Sequence, residues 1–163
     1  MRLLLLLLLL LAASTAGAAP PPGALVLGPG PGDRSAEINQ ALEALRERGG
    51  GVVHLLPGRY HLARPLRIAS SYGKDGRVRA AMHVGLQGAA PPSGYGDAAT
   101  TLVYDGADRA AAVIDISHAL NTTVQDLRIE AGPGRRFRYG VLLHRTESAL
   151  ARGARLPAPT AAN

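Results

Sequence analysis

Arg135-Arg136-Phe137-Arg138-Tyr139 is the densest basic stretch of this chain, and two aromatic rings are interleaved with its guanidinium groups. Guanidinium groups grip carboxylates bidentately, and aromatic faces stack on sugar rings. Arg135, Arg136, Arg138 and Tyr139 therefore suit an acidic polysaccharide. Nucleic acid satisfies the same chemistry, but it is hard to square with the export signal described below. The plain alternative is a solvated loop following Gly132-Pro133-Gly134.

Cleaving such a polymer makes further demands. A glycoside hydrolase needs two carboxyl groups across the scissile bond, roughly 5–9.5 Å apart. Asp115, Asp126 and Glu130 lie on or beside expected strands, and Asp115 and Asp126 are the catalytic candidates. Asp115 is flanked by Ile114 and Ile116, and Asp126 precedes Leu127, so both point outward if these neighbours fill the core. Outward polar residues on strands ordinarily serve only solvation. A lyase would instead need calcium, held by several oxygens, and a base to take the proton alpha to the uronate carboxylate. Asp105 and Asp108 are close enough for that, yet they flank Gly106 in a turn pattern. His54, His61, His83, His118 and His144 show no metal-ligand spacing, and each reads as an exposed or satisfied strand residue. No G-x-S-x-G elbow is present, and the glycine clusters lack the Lys-Ser/Thr of a phosphate loop. With no cysteine, thiol nucleophiles, disulfide scaffolds and Cys-ligated metal sites are excluded.

These residues must be positioned by one helix and a series of short strands. Ser35 is placed to cap a helix in which Ile38, Ala41, Leu42 and Leu45 fall on one stripe. Arg46 and Arg48 suit its C-terminal end, and Gly49-Gly50-Gly51 stops it. Val52–Leu56 then reads as a strand closed by Pro57-Gly58. Tyr60 and Leu62, Leu66 and Ile68, and Met82, Val84 and Leu86 alternate with polar residues or glycine. Further strands are expected at Thr101–Tyr104, Ala112–Ile116, Val124–Ile129 and Gly140–Leu143. Strands this short allow a sandwich, a barrel or a solenoid. Two features favour the solenoid. Leu127-Arg128-Ile129 and Ala154-Arg155-Leu156 are alike at an offset of 27 positions. A lone amphipathic helix ahead of the first strand is also a natural end cap.

The order Asp33, Ile38-Asn39-Gln40-Ala41-Leu42, Gly49-Gly50-Gly51-Val52-Val53-His54-Leu55, Pro57-Gly58-Arg59-Tyr60 and Pro65-Leu66-Arg67-Ile68 carries a resemblance. It is similar to the N-terminal segment of the pectin lyase-like right-handed parallel β-helix superfamily, in particular the rhamnogalacturonase/epimerase-type pectate lyase superfamily domain. The similarity runs from about Asp33 to Leu143. It implies an all-β fold, a right-handed parallel β-helix with one N-terminal capping α-helix, truncated after three or four coils. It also implies polysaccharide lyase or hydrolase chemistry on acidic, uronate-containing glycans, carried by later coils, with calcium as the cofactor of a lyase. Of the polygalacturonase motifs only partial counterparts stand here: Asn121-Thr122-Thr123 lacks the acid and Arg128-Ile129-Glu130 lacks the lysine. A non-catalytic carbohydrate-binding module or fragment on the same scaffold is the alternative.

Residues 1–18 have the layout of a secretory signal: Met1-Arg2, nine leucines, then Ala16-Gly17-Ala18 before the expected cleavage at Ala19. The apolar run is too short and too diluted for a stable membrane span, which needs about 20 residues. A Pro/Gly-rich linker at 19–32, a β-helix cap and first coils at 33–147, and a low-complexity tail or incomplete coil at 148–163 complete the expected layout. Secretion would make Asn121 of the Asn121-Thr122-Thr123 sequon an N-glycosylation acceptor. The 163 residues carry 18 Lys+Arg against 12 Asp+Glu, no Trp and only one Phe. So few bulky rings suit rungs of small aliphatic side chains better than one large core.

Overall fold

The computed structural model describes residues 19–72, 76–89, 99–107, 110–147 and 150–152; the expected signal at 1–18 lies outside them. The chain opens with β1 (Leu25–Leu27), α1 (Ser35–Glu47), β2 (Gly51–Leu55), β3 (Gly58–Leu62) and β4 (Leu66–Ala69). A hairpin, β5 (Ser71–Tyr72) and β6 (Val78–Arg79), is followed by β7 (Ala81–Met82), β8 (Val84–Gln87), β9 (Thr100–Tyr104) and β10 (Ala110–Ser117). Then come β11 (Ala119–Leu120), β12 (Thr123–Gln125), β13 (Leu127–Ala131), β14 (Phe137–His144) and β15 (Leu150–Arg152).

The described chain is thus mostly β-strand with a single helix, and every strand pair except the β5–β6 hairpin is parallel. Sheet A has the order β1-β2-β8-β12-β15, sheet B is β3-β9-β13, sheet C is β4-β10-β14, and β7 and β11 form a short sheet D. The chain therefore visits A, B and C in the same order three times. Register makes columns of like residues: Val53, Leu86 and Val124 in sheet A, Tyr60, Leu102 and Ile129 in sheet B. All six are buried, and with Leu55, Leu66, Ile114 and Ile116 they form one continuous core. Burying each such side chain stabilises the fold by about 1.5–3 kcal/mol. Phe137 closes on Tyr104 edge to face, with ring centroids 6.4 Å apart.

The last circuit has the period seen in the sequence. Val124 pairs with Ala151, Leu102 with Ile129 and Ile114 with Val141, each 27 positions apart. The C-terminal half of that repeat, Ala154-Arg155-Leu156, lies outside the described residues. Earlier circuits are longer; the β5–β6 hairpin is inserted in one of them.

The N-terminal segment satisfies the open edges of all three main sheets. In the stretch expected to be a linker, Leu25–Leu27 pairs with β2 and covers sheet A. For sheet B, the Arg34 N–H donates to the His61 carbonyl (2.8 Å) and Asp33 Oδ1 accepts from the Ala63 N–H (3.0 Å). For sheet C, the Asn39 amide donates to the Pro65 carbonyl (3.0 Å) and accepts from the Arg67 N–H (2.8 Å). Bare edges of this kind otherwise recruit other chains.

The helix itself buries the predicted stripe of Ile38, Ala41, Leu42 and Leu45. Its cap differs from expectation. Ser35 is the first helical residue, and Asp33 takes the capping role by accepting from the Ser35 N–H (2.8 Å) and the Ser35 hydroxyl. Burial pushes the Asp33 pKa up, but the bonds from Ala63 and Ser35, with the nearby Arg64 charge, outweigh it and hold the carboxyl below its usual value. At the other end Gly51 has φ +133°, and a Cβ there would lie 2.8 Å from Leu45 Cδ2.

Two expected strands are each broken in two. Val124–Ile129 is split at Asp126 (φ +58°), and the Met82–Leu86 alternation is split at His83 (φ +54°), which leaves Ala81 buried and Met82 exposed. With His118, Asn121 and Arg145, these are the non-glycine residues in the left-handed region among the described residues, and all five sit at corners between sheets. Asn, Asp and His tolerate that backbone better than most side chains. Corners also stack: His83 and Asn121 follow the paired Met82 and Leu120, and His118 and Arg145 follow the paired Ser117 and His144.

Candidate functional site

Sheet B turns a polar face outward. Arg59 and His61 on β3, and Arg128 and Glu130 on β13, alternate with the buried Tyr60, Leu62, Leu127 and Ile129. Register sets Arg59, Thr101 and Arg128 in one row and His61, Val103 and Glu130 in the next. Arg59 Nη2 reaches diagonally across the middle strand to Glu130 Oε2 (2.9 Å), and Arg128 Nε holds Glu130 Oε1 (2.7 Å). Beneath this strap Thr101 and Val103 are 8% and 2% exposed, although both belong to outward rows. His61 Nδ1 lies 2.5 Å from Asp105 Oδ2. That contact fixes the imidazole orientation and gives Asp105 a partner beyond its expected turn role; Asp108 lies outside the described residues.

Charge on this face is largely matched; at the adjoining B–C corner it is not. The Gly132 N–H donates to the Tyr104 carbonyl (2.8 Å) and the Arg135 N–H to the Gly132 carbonyl (3.0 Å), turning the chain into β14. Arg135 and Arg136 project from that turn, and Arg138 and Tyr139 belong to β14 rather than to a loop. All four are exposed. Among the described residues no carboxylate pairs with Arg135, Arg136 or Arg138; the Arg138 guanidinium lies over the Tyr139 ring, 5.3 Å from its centroid. This corner can receive an anion at no cost in existing ion pairs.

The two catalytic candidates fall on different elements. Asp115 is on β10 in sheet C, aligned between Arg67 and Leu142. Asp126 forms the A–B corner, where its backbone conformation accounts for its presence. Nothing in the fold gathers them into a pair. Among the described residues no group of three or more His, Asp or Glu side chains converges as calcium or another metal would require. Asn121 is exposed at a corner, where its N–H donates to the Glu147 carbonyl (3.0 Å).

His54 is the histidine that the fold removes from water: it is 2% exposed, and its Nδ1 has no hydrogen-bond partner among the described residues. Burial lowers its pKa below the ordinary 6.5, partly opposed by the Asp126 charge. The unfolded chain therefore binds the His54 proton more readily than the folded one, and stability falls as pH drops below 6.5. Thermal melts between pH 8 and pH 5 are expected to show this decline, and His54→Leu is expected to flatten it; an unchanged slope in the variant would count against the assignment.

The residues that sequence reasoning missed are the His61–Asp105 and Arg59–Glu130–Arg128 contacts. Only the alternation of Arg59 and His61 with apolar neighbours hinted at an outward face. Comparison with protein-family models, curated proteins and solved structures returns no match for this chain. Among the described residues no helix is long and apolar enough to cross a membrane.

Proposed function

We propose that this chain is a secreted right-handed parallel β-helix protein that binds acidic, uronate-containing polysaccharide through its B–C corner. The observation that carries the reading is the set of uncompensated guanidinium groups of Arg135, Arg136 and Arg138 beside the exposed Tyr139 ring. Carboxylates along a uronate polymer repeat at short intervals and match such a cluster with charge-assisted bonds. The threefold recurrence of sheets A, B and C and the capped N-terminal edge support the β-helix. Export is supported by the signal layout of residues 1–18. The separation of Asp115 from Asp126 favours binding over two-carboxylate hydrolysis in this part of the molecule.

The purified protein is expected to be retained on immobilised polygalacturonate and released by salt, which screens exposed charges within about 10 Å at 0.1 M. The triple variant Arg135→Ala, Arg136→Ala, Arg138→Ala is expected to bind about tenfold or more weakly, since each lost charge-assisted bond contributes roughly 1.5–3 kcal/mol before solvent screening. Equal retention of variant and parent would refute the site. The same preparation distinguishes a lyase, through ultraviolet-absorbing unsaturated ends, from a hydrolase, through new reducing ends alone.

A further inference from the structure

The β5–β6 hairpin holds two large apolar side chains out of the fold. Tyr72 is 79% exposed and Val78 61%, and the two are directly opposite in the hairpin register. Between this pair and the C–D corner lies a cleft of about 320 Å³, lined by Ser70, Ser71, Tyr72, Val78 and His118. Its volume is at the lower end of the range for small-ligand sites. The far wall is held firmly. His118 has φ +50°, its N–H donates to the His144 carbonyl (3.0 Å), and its ring meets the His144 ring edge to face at 5.9 Å. The Ser70 hydroxyl donates to the His118 carbonyl and accepts from the Ala81 N–H (3.0 Å), so Ser70 is spent on structure. The Ser71 hydroxyl and the His118 ring nitrogens are not engaged in hydrogen bonds with the described residues.

We propose that this cleft is a subsite for a single uronate pyranose ring. One wall offers an aromatic and an aliphatic side chain for the apolar C–H face of the sugar. The Ser71 hydroxyl and the His118 imidazole supply donors and acceptors for its ring hydroxyls. Arg145, exposed and without an ion pair among the described residues, stands outside the lining at the stacked corner one strand beyond His118, about 4.8 Å away in the stacking direction, and its charge there favours an acidic sugar over a neutral one. The inference rests on the acidic-glycan reading and adds a second contact point to it. Strand β14 runs from the Arg138 end to His144, about 23 Å at 3.3 Å per residue, so a polymer lying along it engages both sites and gains from their effective concentration.

Galacturonate monosaccharide, followed by saturation-transfer NMR with the Arg135→Ala, Arg136→Ala, Arg138→Ala protein as the parent of each variant, probes the cleft alone, and polygalacturonate retention by the otherwise unaltered chain probes the whole track. Saturation of the sugar protons is expected with the parent protein, is lost in Tyr72→Ala and His118→Asn, and polymer affinity falls severalfold in both variants. Tyr72 is almost wholly in solvent and Asn tolerates the His118 backbone, so circular dichroism is expected to be unchanged in both. Equal saturation in parent and variants, or none in the parent despite polymer retention, overturns the cleft and leaves the Arg135–Arg138 site standing. Saturation that the variants abolish, without polymer retention by the unaltered chain, supports the cleft and overturns the earlier reading.

Discussion

Gly88→Val is expected to destabilise the fold by on the order of 3 kcal/mol, or roughly 10 °C in thermal midpoint. Gly88 stands where sheet A hands the chain onward, and its N–H donates to the Gln125 carbonyl (3.0 Å). Any side chain there begins inside its neighbours. A Cβ would fall on the Asp126 carbonyl oxygen, 2.7 Å from Leu127 Cδ2 and 2.9 Å from Thr100 Cβ. None of these can yield cheaply. The Asp126 carbonyl belongs to a left-handed corner, Leu127 is fully buried, and the Thr100 hydroxyl accepts from the Ala89 N–H (2.9 Å) while reaching the Leu55 and Leu56 carbonyls. Gly28→Ala is the control, because a Cβ there meets only Leu56 Cδ1 at 4.0 Å. Urea and thermal unfolding followed by circular dichroism decide the matter. If Gly88→Val melts within about 2 °C of Gly28→Ala, the close stacking of the A–B corners is wrong.

That corner also marks the limit of what the sequence discloses. The helix was legible because four apolar residues at a 3.6-residue period leave few alternatives, and the glycine block after it because no other residue type fits φ +133° against Leu45. The 27-residue repeat was legible because the last circuit carries no insertion. The corners were not. His83 continues the polar–apolar alternation of Met82 and Val84, and the doubled polar pair Gln125-Asp126 interrupts its strand by a single residue, so a period-2 reading runs through a change of direction that the left-handed backbone records. Asp33 was hidden for a related reason: its acceptor role depends on Ala63, which is distant in sequence and adjacent only once β3 is placed. The candidate site divides the same way. Arg135, Arg136, Arg138 and Tyr139 lie within one stretch of five residues and could be read directly. His61 with Asp105, and Arg59 with Glu130, meet only through strand register.

Leu102→Ala is expected to cost about 2–5 kcal/mol, while Leu143→Ala costs under about 1 kcal/mol. The two leucines differ in what stacks on them. Leu102 is fully buried on the middle strand of sheet B, between Tyr60 and Ile129, so truncation leaves a void bounded by neighbours that cannot collapse into it. Tyr60 in particular is held in place by its hydroxyl, which donates toward the Leu27 and Leu56 carbonyls (2.8 and 3.0 Å). Leu143 occupies the inward register of sheet C opposite Ile116, yet it is 44% exposed, β14 being the last strand of that sheet among the described residues. Where rungs contact only their neighbours, stability is a sum of nearest-neighbour terms, and a central rung counts twice where an end rung counts once. Urea unfolding of both variants measures this asymmetry directly. Comparable losses would mean that Leu143 is covered in solution, which would leave a polymer no access along β14.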